Sequence, residues 1–138
     1  MISIDFVAVL VAAFVAFIVG FLFHGPVFGK LWMKLADIHP TGNEKLSDML
    51  PQLVWNLVTN IVTAILLSAL YTIALNSTKI AEMGSLGGVL CALLAWGFIV
   101  ASSSIEVIWM GRKLSLWLFE CVSSLVVMTL MGTIIACW

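Results

Sequence analysis

Four stretches of this chain, about residues 4–24, 51–75, 84–109 and 114–138, are long, apolar and almost free of charge. About twenty residues in a helix cover the roughly 30 Å of a bilayer's hydrocarbon core. Inside that core every backbone N–H and C=O must find its partner within the protein, which leaves the helix as the form for such a segment. The expected fold is therefore all-α: an integral membrane four-helix bundle, one transmembrane domain over residues 1–138, with a short interfacial segment after the first span. Composition agrees. Of 138 residues, 63% are hydrophobic and 9% charged, against roughly a quarter charged in soluble domains. A net charge of -1 and six basic residues leave no footprint for nucleic acid.

The first span ends at Phe23-His24-Gly25-Pro26. Proline lacks an N–H and restricts the residue before it, so the helix stops there. Val27-Phe28-Gly29-Lys30-Leu31-Trp32-Met33-Lys34 then suits a segment at the headgroup level, with Pro26, Phe28, Gly29, Lys30 and Trp32 as its marker residues. A cleaved signal peptide is the rival reading of the first span. It is disfavoured by the missing basic n-region, the length of the run and the lack of a small-residue cleavage site. Ala8, Ala12, Ala16 and Gly20 recur every fourth residue and form a ridge for close helix contact.

Residues 36–50 are the one long polar stretch, and their Pro40 and Gly42 read as a loop. Pro51 is then placed to start the second span. Gln52, Asn56, Thr59, Asn60 and Thr63 follow at three- and four-residue steps and share one face. Amides in lipid need partners, so this face is expected to point into the bundle, either as interhelix glue or as a solute-lining wall. Residues 76–83 form a connector; its Asn76-Ser77-Thr78 matches a sequon but lies close to the membrane. The third span opens with a second small-residue surface, Gly84, Ser85, Gly87, Gly88, Cys91, Ala92 and Ala95. It turns polar at Ser102, Ser103, Ser104 and Glu106 before the turn Met110-Gly111-Arg112-Lys113. In the fourth span Glu120, Ser123 and Ser124 follow at helical spacing, and Trp138 marks the far interface.

Lysine and arginine give the orientation. Lys30, Lys34, Lys45, Arg112 and Lys113 follow spans one and three, and Lys79 alone follows span two. The positive-inside rule then places both termini outside and those basic loops in the cytoplasm. A faint internal repeat also shows: His24 lies five residues before Gly29-Lys30, as Glu106 lies five before Gly111-Arg112. It would make the two halves parallel repeats.

Pro26-Val27-Phe28-Gly29-Lys30-Leu31-Trp32-Met33, with Gly111-Arg112-Lys113-Leu114 and the closing Met131-Gly132 to Trp138, resembles the bacterial family called domain of unknown function 1761. The resemblance covers essentially the whole chain. It implies the four-span layout and a bacterial inner (cytoplasmic) membrane, and it implies no activity. The chain departs from the family in carrying Phe23-His24 where a tryptophan–tyrosine pair is usual, and Glu120 near a place where the family tends to carry a different polar residue.

No phosphate loop, metal-ligand spacing or Ser/His/Asp order is present, so no cofactor, metal or enzyme class is indicated. Cys91, Cys121 and Cys137 lie inside apolar runs without a CxxC pair and read as small hydrophobes. The polar site expected instead gathers His24, Asn56, Asn60, Glu106 and Glu120 at one depth in the cytoplasmic half. A carboxyl group at that depth is usually paired or functional. One reading has Glu120 bind a proton, a small cation or another small solute, oriented by Asn56 and Asn60. In the other, Glu106 reaches Arg112 or Lys113 and Glu120 is neutral against Ser123 or Ser124. The first makes the protein an ion- or solute-binding membrane protein; the second a structural or accessory subunit. A homo-oligomer in the lipid bilayer is also expected, because two small-residue ridges exceed what four helices obviously need.

Overall fold

The computed structural model describes residues 4–40 and 46–138. The helices are α1 (Phe6–His24), α2 (Gly29–Leu35), α3 (Leu46–Ala74), α4 (Thr78–Glu82), α5 (Ser85–Trp109) and α6 (Leu114–Cys137). Four of them, α1, α3, α5 and α6, are long and apolar enough to cross a membrane. They make a four-helix bundle with α2 as the expected short segment after the first span. The end that carries α2 and the α5–α6 turn is called the basic end below, and the other the α4 end.

Capping explains where the helices begin and stop. The Asp5 carboxylate accepts from the N–H groups of Val7 and Ala8, at 2.8 and 3.1 Å, and so satisfies two orphan donors of α1. At the far end a Cβ on Gly25 would sit 2.7 Å from the Phe21 carbonyl oxygen, so the turn before Pro26 requires glycine. Helix α2 closes in a Schellman arrangement: Ile38 N–H donates to the Met33 carbonyl at 2.9 Å, and Asp37 sits at φ 56. Aspartate is among the few residues that tolerate that left-handed conformation.

Two boundaries differ from the sequence expectation. Pro51 lies inside α3 rather than at its start, because the helix already begins at Leu46. The loop read over residues 36–50 is thus shorter, and its Gly42, Asn43, Glu44 and Lys45 lie outside the described residues. The connector after the second span contains the short helix α4, with Ser77 as its N-cap.

Helix α6 packs most extensively on α5 and next on α1, and α1 in turn packs on α3; the seam between α3 and α5 is slighter. Small residues permit this. Ala8, Ala12, Ala13 and Ala16 of α1 are all buried within the chain. On the α5–α6 pair, a Cβ added to Gly132 would lie 2.5 Å from the Gly88 carbonyl oxygen and 2.7 Å from the Ala92 Cβ, so the two backbones touch. Ala8, Ala12 and Ala16 of the first ridge and Gly87, Gly88, Cys91 and Ala92 of the second pack inside the chain, while Gly84 and Ser85 are exposed. The dry core sits toward the α4 end, where Ala12, Ala64, Ala92 and Met131 are completely buried.

Candidate functional site

Helical register carries the core toward the basic end. Eleven residues are close to three turns at ~3.6 per turn, so residues eleven apart share a face. Counting that way, His24 continues the face of the buried Ala13, and Asn56 and Asn60 continue those of Leu67 and Tyr71. Ser103 and Glu106 likewise continue the face of Ala92 and Ala95, and Glu120 that of Met131. All five expected residues thus lie on faces that, further along, line the core.

Yet they are not sealed as the core is. The first half of α3 stands clear of its neighbours: Val54, Trp55 and Val58 are exposed, and burial begins only at Ala64. Asn56 and Thr59 are exposed, and Asn60 and Thr63 half-buried. The expectation that this stripe finds its partners across the bundle is corrected. Asn60 donates to the Asn56 side chain at 2.7 Å and its carbonyl at 3.0 Å. Thr59 and Thr63 hydroxyls donate back to the carbonyls of Asn56 and Thr59, each at 2.8 Å. Thr59, Asn60 and Thr63 are thus satisfied along their own helix.

At the basic end Arg112 is the organising charge. Its guanidinium donates to Glu106 through one nitrogen and meets Glu120 at 2.8 Å through the other. Burial pulls the Arg112 pKa down; the hydrogen bonds and charges of Glu106 and Glu120 more than reverse this and hold it above its ordinary value. Gly111, at φ 66, lets the chain double back so that Arg112 N–H also reaches the Glu106 carbonyl at 3.2 Å. Glu120 thus meets Arg112 in place of the serine bond expected for it. Ser124 donates to the Cys121 carbonyl at 3.0 Å and accepts from the Trp96 indole at 3.2 Å. Two carboxylates share one guanidinium, and the side chains stay partly open, 36% exposed for Glu120 and 41% for Glu106.

His24 is set apart from this group. Its Nδ1 lies 2.9 Å from the Gly20 carbonyl, which only an N–H can satisfy, so Nε2 is bare in the neutral ring. Trp32 and Phe119 meet it edge-on, with centroids 5.4 and 5.8 Å away. Phe119 also meets Phe23 and Phe28. His24 and Asn56 instead line a cleft of about 160 Å³ with Phe17, Phe21, Trp32 and Leu53. Among the described residues no hydrogen bond or ion pair joins His24 to either carboxylate. The repeat that equated His24 with Glu106 thus has no counterpart in their contacts: one rests on its own helix and aromatic rings, the other on Arg112.

Of the interfacial residues, Gly29 is buried, with a Cβ only 3.0 Å from the His24 carbonyl oxygen, while Pro26 and Lys30 are exposed. Lys113 pairs with Asp37 and ties the end of α2 to the α5–α6 turn. That hydrogen bond and the lysine's charge hold the Asp37 carboxyl below its ordinary range. No group of three metal-ligating side chains occurs among the described residues.

Residues 7–136 match the family described as Protein of unknown function (DUF1761). The chain belongs to this family. Neither the curated proteins nor the solved structures give a match. Membership of DUF1761 brings no activity with it, so chemistry must be argued from the chain's own residues.

Sequence reasoning missed the residues that hold the site in place. The Trp117 indole donates to Ser103 Oγ at 3.0 Å, and the Trp96 indole to the Cys121 carbonyl at 3.0 Å. Both pin α5 to α6 beside Glu120. The polar halves of these bonds were visible as serines, but nothing in spacing pairs residues so far apart in sequence.

Proposed function

We propose that the protein binds a proton or a small cation, taken from the cytoplasm, at the cluster of Glu106, Glu120 and Arg112 at its basic end. The observation that carries this reading is the sharing of Arg112 by Glu106 and Glu120. With both carboxylates ionised, one guanidinium leaves a surplus negative charge in this half-open cluster. A cation or proton on Glu120 neutralises it at little cost in reorganisation. The basic end faces the cytoplasm of a bacterial inner membrane in this reading, as its lysines and arginine favour. Beyond the cluster the dry core blocks the way, so the geometry supports binding from one side in this state.

The test is proteoliposomes containing a pH-sensitive dye, under imposed proton or small monovalent-cation gradients. Wild-type protein should give a gradient-dependent signal that Glu120→Gln abolishes while its helix content and thermal transition persist. An unchanged signal in Glu120→Gln, or neither flux nor cation-dependent stabilisation in the wild type, overturns the proposal. The accessory-subunit reading would then stand.

A further inference from the structure

We infer that the basic end carries a binding site for the phosphate headgroup of an anionic glycerophospholipid, built on α2. Lys30 and Lys34 lie one turn apart and share a face with Met33. The chain folds back after α2, so that Asp37, Ile38, His39 and Pro40 make the opposite wall of a hollow of about 350 Å³. One carboxylate borders it, and that carboxylate is occupied: Asp37 holds Lys113. Lys30 and Lys34 are exposed and make no ion pair among the described residues. Two ammonium groups over one hollow, without an ion pair among the described residues and beside an Asp37 already held by Lys113, form an anion site.

Position selects the lipid. Helix α1 crosses the bilayer and ends at His24, so α2 begins where the headgroups lie. The lysines therefore stand at phosphate level. Met33, Ile38 and Pro40 give the hollow an apolar floor suited to the glycerol backbone and the first acyl carbons. A free phosphate ion would use the lysines and leave that floor bare. His39 Nδ1 lies 3.2 Å from the Asp37 carbonyl and so holds the returning loop in shape. The site is separate from Glu106, Glu120 and Arg112, and it stands or falls without the cation proposal.

The test uses the full-length protein, stripped of lipid in detergent and titrated with phosphatidylglycerol or phosphatidylcholine of the same acyl chains. Bound lipids are counted by native mass spectrometry. Wild-type protein should retain phosphatidylglycerol roughly thirtyfold more tightly, as two lysines near an anionic group would give. The preference should shrink to about twofold or less in Lys30→Gln/Lys34→Gln, and persist in Lys30→Arg/Lys34→Arg and in Lys79→Gln at the α4 end. Equal retention of the two lipids by the wild type, or an undiminished preference in the glutamine pair, overturns the site. Displacement of the lipid by millimolar inorganic phosphate would show that a free anion is the ligand and would overturn the lipid assignment.

Discussion

At the residue scale the chain's behaviour turns on which groups share a partner. Arg112 serves two carboxylates, so its removal leaves both uncompensated, whereas loss of Glu120 leaves Arg112 still held by Glu106. Arg112→Gln is expected to lower stability in detergent by about 1–3 kcal/mol, between the values for exposed and buried pairs. Glu120→Gln should cost less, and the double variant less than Arg112→Gln alone, since two like charges no longer face each other. Thermal unfolding of the three variants decides this; a strictly additive double variant would refute it. Asp37 gives a pH signature of known sign. Its carboxyl is held below its ordinary range by Lys113, so the stability it adds is present above about pH 4 and fades as pH falls through its folded value. Asp37→Asn keeps a residue that tolerates φ 56. It should melt earlier than the wild type at pH 6, and the gap should shrink as pH falls below about 4.

At the element scale the α5–α6 pair depends on backbone contact. A side chain at Gly88 would run into the Gly132 carbonyl and Ala136. Gly88→Ala is therefore expected to destabilise by about 1–3 kcal/mol, as overpacking does. Gly97 sits in the same helix with nothing within 4 Å of an added Cβ. Gly97→Ala should be neutral or stabilising by up to about 1 kcal/mol, from helix propensity and reduced unfolded-state freedom. Chemical denaturation of both variants separates local packing from a general effect on α5. Helix α3 behaves differently along its length. Its second half is anchored by Ala64, Leu67 and Tyr71, and its first half stands off the bundle. Amide hydrogen exchange should accordingly be faster over residues 49–58 than over 64–71, a contrast that uniform protection would contradict.

At the scale of the whole molecule, four spans and one-sided basic residues make orientation measurable. Cys137 is exposed at the α4 end, whereas Cys91 is buried. With Cys91 and Cys121 replaced by alanine, Cys137 in intact cells should react with a membrane-impermeant thiol reagent from outside. Labelling only after the membrane is opened would reverse the orientation, and with it the side from which the cluster is reached.

Span lengths, the break at Gly25-Pro26 and the small-residue packing faces of α1 and α5 were legible in the sequence. Each depends on local rules: hydrocarbon thickness, a missing N–H, or helical period. Only the tertiary structure decided who meets whom. Arg112 takes both glutamates because Gly111 turns the chain back over Glu106 while α6 brings Glu120 to the same guanidinium. His24 leaves the polar group because Phe119 and Trp32 enclose it, and the small-residue faces turn inward because α1 and α5 each find their neighbours within the chain. Those outcomes rest on pairings between residues distant along the chain, for which helical spacing holds no information.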